Sequence, residues 1–158
     1  REGRVYKPVQ LGIGLNTGLC CVGNLGSEQR FDYSVIGDDV NVASRLEGLT
    51  KEYGVPIIVG ERTAAAAGKL ALLEIGGVAV RGKQTATRIH ALVGDESMAQ
   101  QPAFRTLADR HRALVTAIER GEPAAAELLA ECRGLASPAI AGLYDGYARR
   151  LGRERELT

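Results

Sequence analysis

The sequence predicts an α/β (α+β) fold: a mixed or antiparallel sheet with its own helices, followed by a three-helix tail. Three observations predict it. Short apolar runs bounded by Gly, Asn and Pro recur up to residue 94. Helical spacing interrupts those runs after Gly37 and after Gly60. Beyond residue 102 only helical spacing remains. Glycine follows the same boundary, with fifteen of twenty in 1–94 and five in 95–158.

The elements follow in chain order. Val9, Leu11, Ile13 and Leu15 alternate with Gln10, Gly12 and Gly14, which predicts a strand over 9–15 whose glycine face admits another backbone or a ligand. Asn16-Thr17-Gly18 is a turn signal, and Leu19–Val22 is a second apolar run, so the two runs predict a hairpin. A polar, Gly-containing loop over 23–30 leads to a strand at Phe31–Ile36. Gly37-Asp38-Asp39 opens a helix, because either carboxylate suits the free N–H groups and positive end of a first turn. Val42, Leu46, Leu49 and Tyr53 form its apolar stripe, and Gly54 ends it. Pro56–Val59 predicts a strand and Glu61–Ala67 a short helix. Leu70–Ile75, Val78–Val80 and Ala86–Val93 predict three more strands.

Residues 94–102 have the composition of a linker. The tail then places Phe104, Leu107, His111, Leu114 and Ile118 on one helix, closed by Gly121. Leu128, Leu129 and Cys132 mark a second helix, and Ser137-Pro138 opens a third with Ile140, Leu143, Tyr144, Tyr147 and Leu151 inside. His111 is expected as a packing residue at the core edge, and the Tyr144/Tyr147/Leu151 face as packing between tail helices. The division is therefore 1–94, a linker at 95–102 and a helical extension over 103–158.

Composition excludes several functions. The 158 residues carry 20 Lys+Arg against 19 Asp+Glu, a net charge of +1, which is poorly suited to binding nucleic acid or an anionic membrane through excess charge. No apolar run approaches the ~18 residues of a membrane span. Cys20, Cys21 and Cys132 include no CxxC pair, and neighbouring residues on a strand point to opposite faces, so reduced, buried thiols in a cytoplasmic setting are expected. Neither His90 nor His111 has a Cys or His at metal-ligand spacing. Two phosphate-loop patterns fail on inspection. Gly77–Lys83 reads G-x-x-x-x-G-K but continues with Gln84 where Ser or Thr should reach magnesium, and Gly12-Ile-Gly14 has Thr17 in place of a third glycine.

The stretch from Gly18 to Glu47 carries the chemistry. Asn41 and Arg45 are four apart on one helix and project from one face beside the apolar stripe. A guanidinium grips phosphate oxygens in a planar fork, and a carboxamide supplies a donor and an acceptor. Periodicity alone favours the plainer reading, with Arg45 pairing a nearby acid and Asn41 capping a turn. The sequence blocks Ile13–Gly18, Val22–Ser27, Arg30–Asp38, Val40–Glu47 and Val80–Lys83 resemble, in order and spacing, the second half of a class III nucleotidyl cyclase catalytic domain, the adenylate/guanylate cyclase family. The resemblance covers about residues 8–94 and implies a ferredoxin-like nucleotide-cyclase half-domain.

It also implies a reaction, ATP to cyclic AMP and pyrophosphate, with roles at matching positions. Arg45 corresponds to the arginine that stabilises charge on the transferring phosphate, and Asn41 to the asparagine that orients ribose. Ser34 corresponds to the base-contacting position, where a small hydroxyl or Asp is usual for adenine. Arg81, with Lys83 as fallback, corresponds to a basic contact to the terminal phosphates. The family's two Mg2+ or Mn2+ ions are held by aspartates on earlier strands, which nothing in this chain matches; Asp32, Asp38 and Asp39 are not at those positions. The implied partners are ATP and a second copy or a complementing cyclase half, with no metal ligands from this chain. The sequence also leaves open a non-catalytic module for dimerisation or regulation.

Overall fold

The computed structural model describes residues 9–24, 33–79 and 86–156. A four-stranded mixed sheet runs β1(Ile13–Leu15), β4(Ile57–Gly60), β6(Thr87–Gly94), β5(Ala71–Val78), with β1 parallel to β4 and the remaining pairs antiparallel. The α/β class with a mixed sheet and trailing helices is thus observed. A separate two-stranded ladder joins β2(Cys21–Asn24) to β3(Tyr33–Ile36). The expected hairpin between the first two apolar runs does not form. β1 takes β4 as its partner, and the strand after the polar loop supplies β2 with its antiparallel mate, Cys21 opposite Ile36. β1 is also shorter than 9–15.

The connection from β1 to β4 passes through α1(Asp38–Tyr53), the crossover that a parallel pair needs. Its apolar stripe is buried as expected, with Leu46 fully buried and Val42 and Tyr53 nearly so. Truncating Leu46 to Ala would cost ~2–5 kcal/mol, the usual range for a buried leucine. Gly54 ends the helix with φ 67°, a left-handed conformation that glycine alone adopts without a Cβ penalty. The glycine face of β1 is where α1 sits. A Cβ on Gly14 would stand 2.2 Å from the Ala43 carbonyl oxygen, and one on Gly12 would stand 2.2 Å from Thr50 Oγ1. The backbone that approaches these glycines is therefore the helix's own.

α2(Glu61–Ala66) follows β4. In place of separate strands at 70–75 and 78–80 there is one strand, β5, because a register shift at Ile75 lets Gly76, Gly77 and Val78 stay paired with β6; Val80 lies outside the described residues. The stretch read as a linker holds α3(Glu96–Gln100), whose first turn is capped by the Asp95 carboxylate accepting from Met98 N–H at 2.9 Å. The tail comprises α4(Pro102–Glu119), α5(Ala125–Leu135) and α6(Pro138–Glu156). It packs into the same core as the sheet: Leu107, Leu114, Leu143 and Tyr144 join Leu46, Leu73 and Ile89 in one apolar cluster.

His111 is wholly buried and not at the core edge. Its Nε2–H donates to the Glu74 carbonyl oxygen at 2.7 Å, which leaves Nδ1 to accept from the Tyr144 hydroxyl at 3.2 Å. Cys132 is buried, but Cys20 and Cys21 are exposed, because one side of the first ladder has no covering layer among the described residues. With the exception of Leu135, every exposed large apolar side chain among those residues lies between Val9 and Ile36. No helix among them is long and apolar enough to cross a membrane.

Candidate functional site

The site is built on α1. Packing of Val42, Leu46 and Thr50 against β1 and β4 turns the opposite face outward, and Asn41 and Arg45 stand exposed on it, one turn apart. Arg45 reaches the end of β5, where its Nη1 donates to the Ala79 carbonyl oxygen at 2.6 Å. Among the described residues it forms no ion pair. Among the described residues the guanidinium is thus steadied by a neutral acceptor that does not compensate its charge. Ser34 is half-buried on β3, opposite Gly23, on the strand that runs through Ile36 and Gly37 into the helix. Arg81 and Lys83 lie outside the described residues, as do Arg30 and Asp32.

The N-terminal end of α1 is fixed by residues that the sequence announced only as a turn. Asn16 Nδ2 donates to both the main-chain oxygen and Oδ1 of Asp39, each at 3.1 Å. A Cβ on Gly18 would stand 1.8 Å from Asp39 Oδ2, so the turn lies directly against the carboxylate. Thr17 Oγ1 meets Thr63 Oγ1 at 2.9 Å, which ties the same turn to α2. Asp38 and Asp39 occupy the first turn as expected, yet neither side chain caps it, since the capping position is Gly37. The signal that could have found Asn16 is its position at the end of a strand packed against a helix.

A cavity of about 620 Å³ does not coincide with these groups. It lies at the other end of α1, between Gly12, Lys51, Gly54 and Arg149. Asn41 and Arg45 are exposed, and phosphate recognition depends on donor geometry more than on an enclosing cavity. Among the described residues no cluster of three or more His, Cys, Asp or Glu could hold a metal ion. The described residues therefore do not fit two divalent ions.

Comparisons with known proteins bear on this arrangement. The sequence model of the adenylate and guanylate cyclase catalytic domain matches residues 2–94. The chain is 38% identical over 83 residues to "Adenylate cyclase 1" of Rhizobium meliloti, covering 52% of this chain and 12% of that protein. It is 51% identical over 53 residues to "Adenylate cyclase" of Anabaena cylindrica, covering 34% of this chain and 11% of that one. The chain therefore spans only a small part of these relatives. Among solved structures, the adenylyl cyclase CyaB from P. aeruginosa superposes with a TM-score of 0.50 at 36% identity, over 58% of this chain and 46% of that one.

Proposed function

The chain belongs to the adenylate and guanylate cyclase catalytic-domain family, and from that membership we propose that it supplies the transition-state half of an adenylate cyclase site, converting ATP to cyclic AMP and pyrophosphate. One observation carries the reading: Arg45 and Asn41 project together from the exposed face of a helix seated firmly on the sheet, and among the described residues the guanidinium meets a main-chain carbonyl and no acid.

In the proposed reaction the ribose 3′-oxygen forms a bond to the α-phosphorus. The bond from that phosphorus to the bridging oxygen breaks, the hydroxyl proton passes to solvent or a base, and pyrophosphate departs. Little covalent help is needed, so rate comes from alignment and from donors fixed where negative charge grows. Arg45 is such a donor. Asn41, one turn earlier, holds the ribose with its carboxamide. Ser34 offers a hydroxyl to the adenine edge, and Arg81 or Lys83 contacts the terminal phosphates.

Mg2+ or Mn2+, if used, is held by ligands that the described residues do not provide. We assign them to a complementing cyclase half or a second copy. Support comes from exposed apolar side chains: Val9 and Leu11, Ile13 and Leu15 on the edge strand β1 that follows them, and Val22, Val35 and Ile36 on the β2–β3 ladder. Such an area on a water-facing surface fits a subunit contact. The test mixes this chain with a cyclase polypeptide that carries the metal-binding aspartates but has its own counterparts of Asn41 and Arg45 replaced. Cyclic AMP from ATP and manganese in the mixture, with none from the isolated chain, supports the reading. No product from a mixture whose partner is active when its own residues are restored would favour a non-catalytic module.

A further inference from the structure

The helical tail packs on α1 and β5, the two elements that meet at Arg45, besides its contacts with α3 and, through Glu119 and Arg88, with β6. Its first contact is with the C-terminal end of α1, through main chain. A Cβ on Gly142 would lie 2.4 Å from the Gly54 carbonyl oxygen, and one on Gly146 would lie 2.9 Å from the carbonyl oxygens of Glu52 and Tyr53. Side chains then lock the contact. Tyr147 meets the Tyr53 ring edge-on at 6.0 Å between centroids. The Arg150 guanidinium sits over the Tyr53 ring at 4.9 Å, donates to its hydroxyl, and approaches Glu52 Oε1 at 3.7 Å. The second contact is with β5, through His111 Nε2–H and the Glu74 carbonyl oxygen. Tyr144 and Tyr147 pack edge-on against the His111 ring, so the two contacts form one continuous buried aromatic group.

From Glu74 β5 continues to its end at Val78, and the next residue, Ala79, accepts the Arg45 hydrogen bond. One end of the tail's contact network thus grips the helix that bears Arg45, and the other grips the strand that steadies it. We propose that α4–α6 is a positioning clamp for the guanidinium, with Gly146 and Arg150 as positioning residues. The proposal rests on Arg45 acting in the cyclase reaction, and it adds that the tail controls how well it acts. Misplacing a fixed donor by a fraction of an ångström to one ångström lowers rate by roughly ten- to a hundredfold.

Two variants test it. Gly146→Ala keeps α6 helical, because alanine favours helix, while its methyl forces the α1 end away. Arg150→Ala removes the Tyr53 and Glu52 contacts without touching main chain. In the complemented assembly each is expected to lower kcat about tenfold with KM for ATP little changed. In an Arg45→Ala background neither should lower it further, since both act through that side chain. Losses that multiply in the double variants would overturn the proposal. Amide hydrogen exchange on the chain alone gives a second measure. Faster exchange across 42–50 with the β5–β6 ladder unchanged supports the clamp, and unchanged exchange across 42–50 overturns it. If the wild-type assembly makes no cyclic AMP, the cyclase reading fails, and the exchange measurement still decides whether the tail holds α1.

Discussion

Among the described residues Arg45 is held by the Ala79 carbonyl, and a carbonyl can be exchanged for a phosphate oxygen at small cost because both are acceptors. Arg45→Lys retains charge but loses the planar fork, so it should recover only part of the activity that Arg45→Ala removes. Ser34→Ala is expected to erode preference for ATP over GTP, measured as the ratio of kcat/KM for the two nucleotides. His111 makes a prediction about stability. Burial pushes its pKa down to about 4, outweighing the Glu74 carbonyl hydrogen bond that favours the proton. The unfolded chain, with a value of about 6.5, therefore binds the proton first as pH falls. The stabilisation is complete above about pH 6.5 and is lost progressively as pH drops toward 4, by roughly 3 kcal/mol in all. Urea unfolding at pH 7 and pH 4.5 should show that loss, and His111→Phe should flatten this contribution. At this scale the sequence revealed the chemistry-bearing residue types and their spacing. It did not reveal Asn16 as the tether of Asp39, because a strand-end asparagine reads as a turn until its helix is known to lie above it.

α1 was legible almost entirely, since Gly37-Asp38-Asp39, the period of Val42 and Leu46, and the terminal Gly54 each act locally. The same holds for α4 and α6. Strand partners were less legible. The choice between β2 and β4 as the mate of β1 is made by the crossover helix and not by the turn signal at Asn16–Gly18. The glycine pair at Gly76 and Gly77 looked like a break because a bulge and a break share one local signature. Residues 95–100 were read as linker because a five-residue helix offers too short a window for periodicity. The β1–α1 contact supports a direct test. Gly14→Ala puts a methyl against main chain at Ala43 and Glu47, which cannot turn aside as a side chain would. It should destabilise by about 1–3 kcal/mol, read as a lower urea midpoint.

The described residues form one core and leave one side uncovered. The core joins tail to sheet, so a change in composition near residue 95 is not a change of body. Removing α4–α6 would strip the cover from Leu73, Ile75 and Tyr53 and should leave an aggregation-prone remainder, visible as light scattering at micromolar concentration. On the uncovered side, Val9 is 82% exposed, Leu19 89% and Tyr33 80%. A complementing cyclase polypeptide should protect that face, and deuterium uptake over 13–24 should fall when it binds. The central claim concerns what the assembled surface does with ATP. The most direct measurement is the rate of cyclic AMP formation by the complemented assembly with wild-type chain and with Arg45→Ala. The account predicts a loss in kcat on the order of 10²–10³ with the assembly intact by sedimentation. Equal rates from the two assemblies would contradict it.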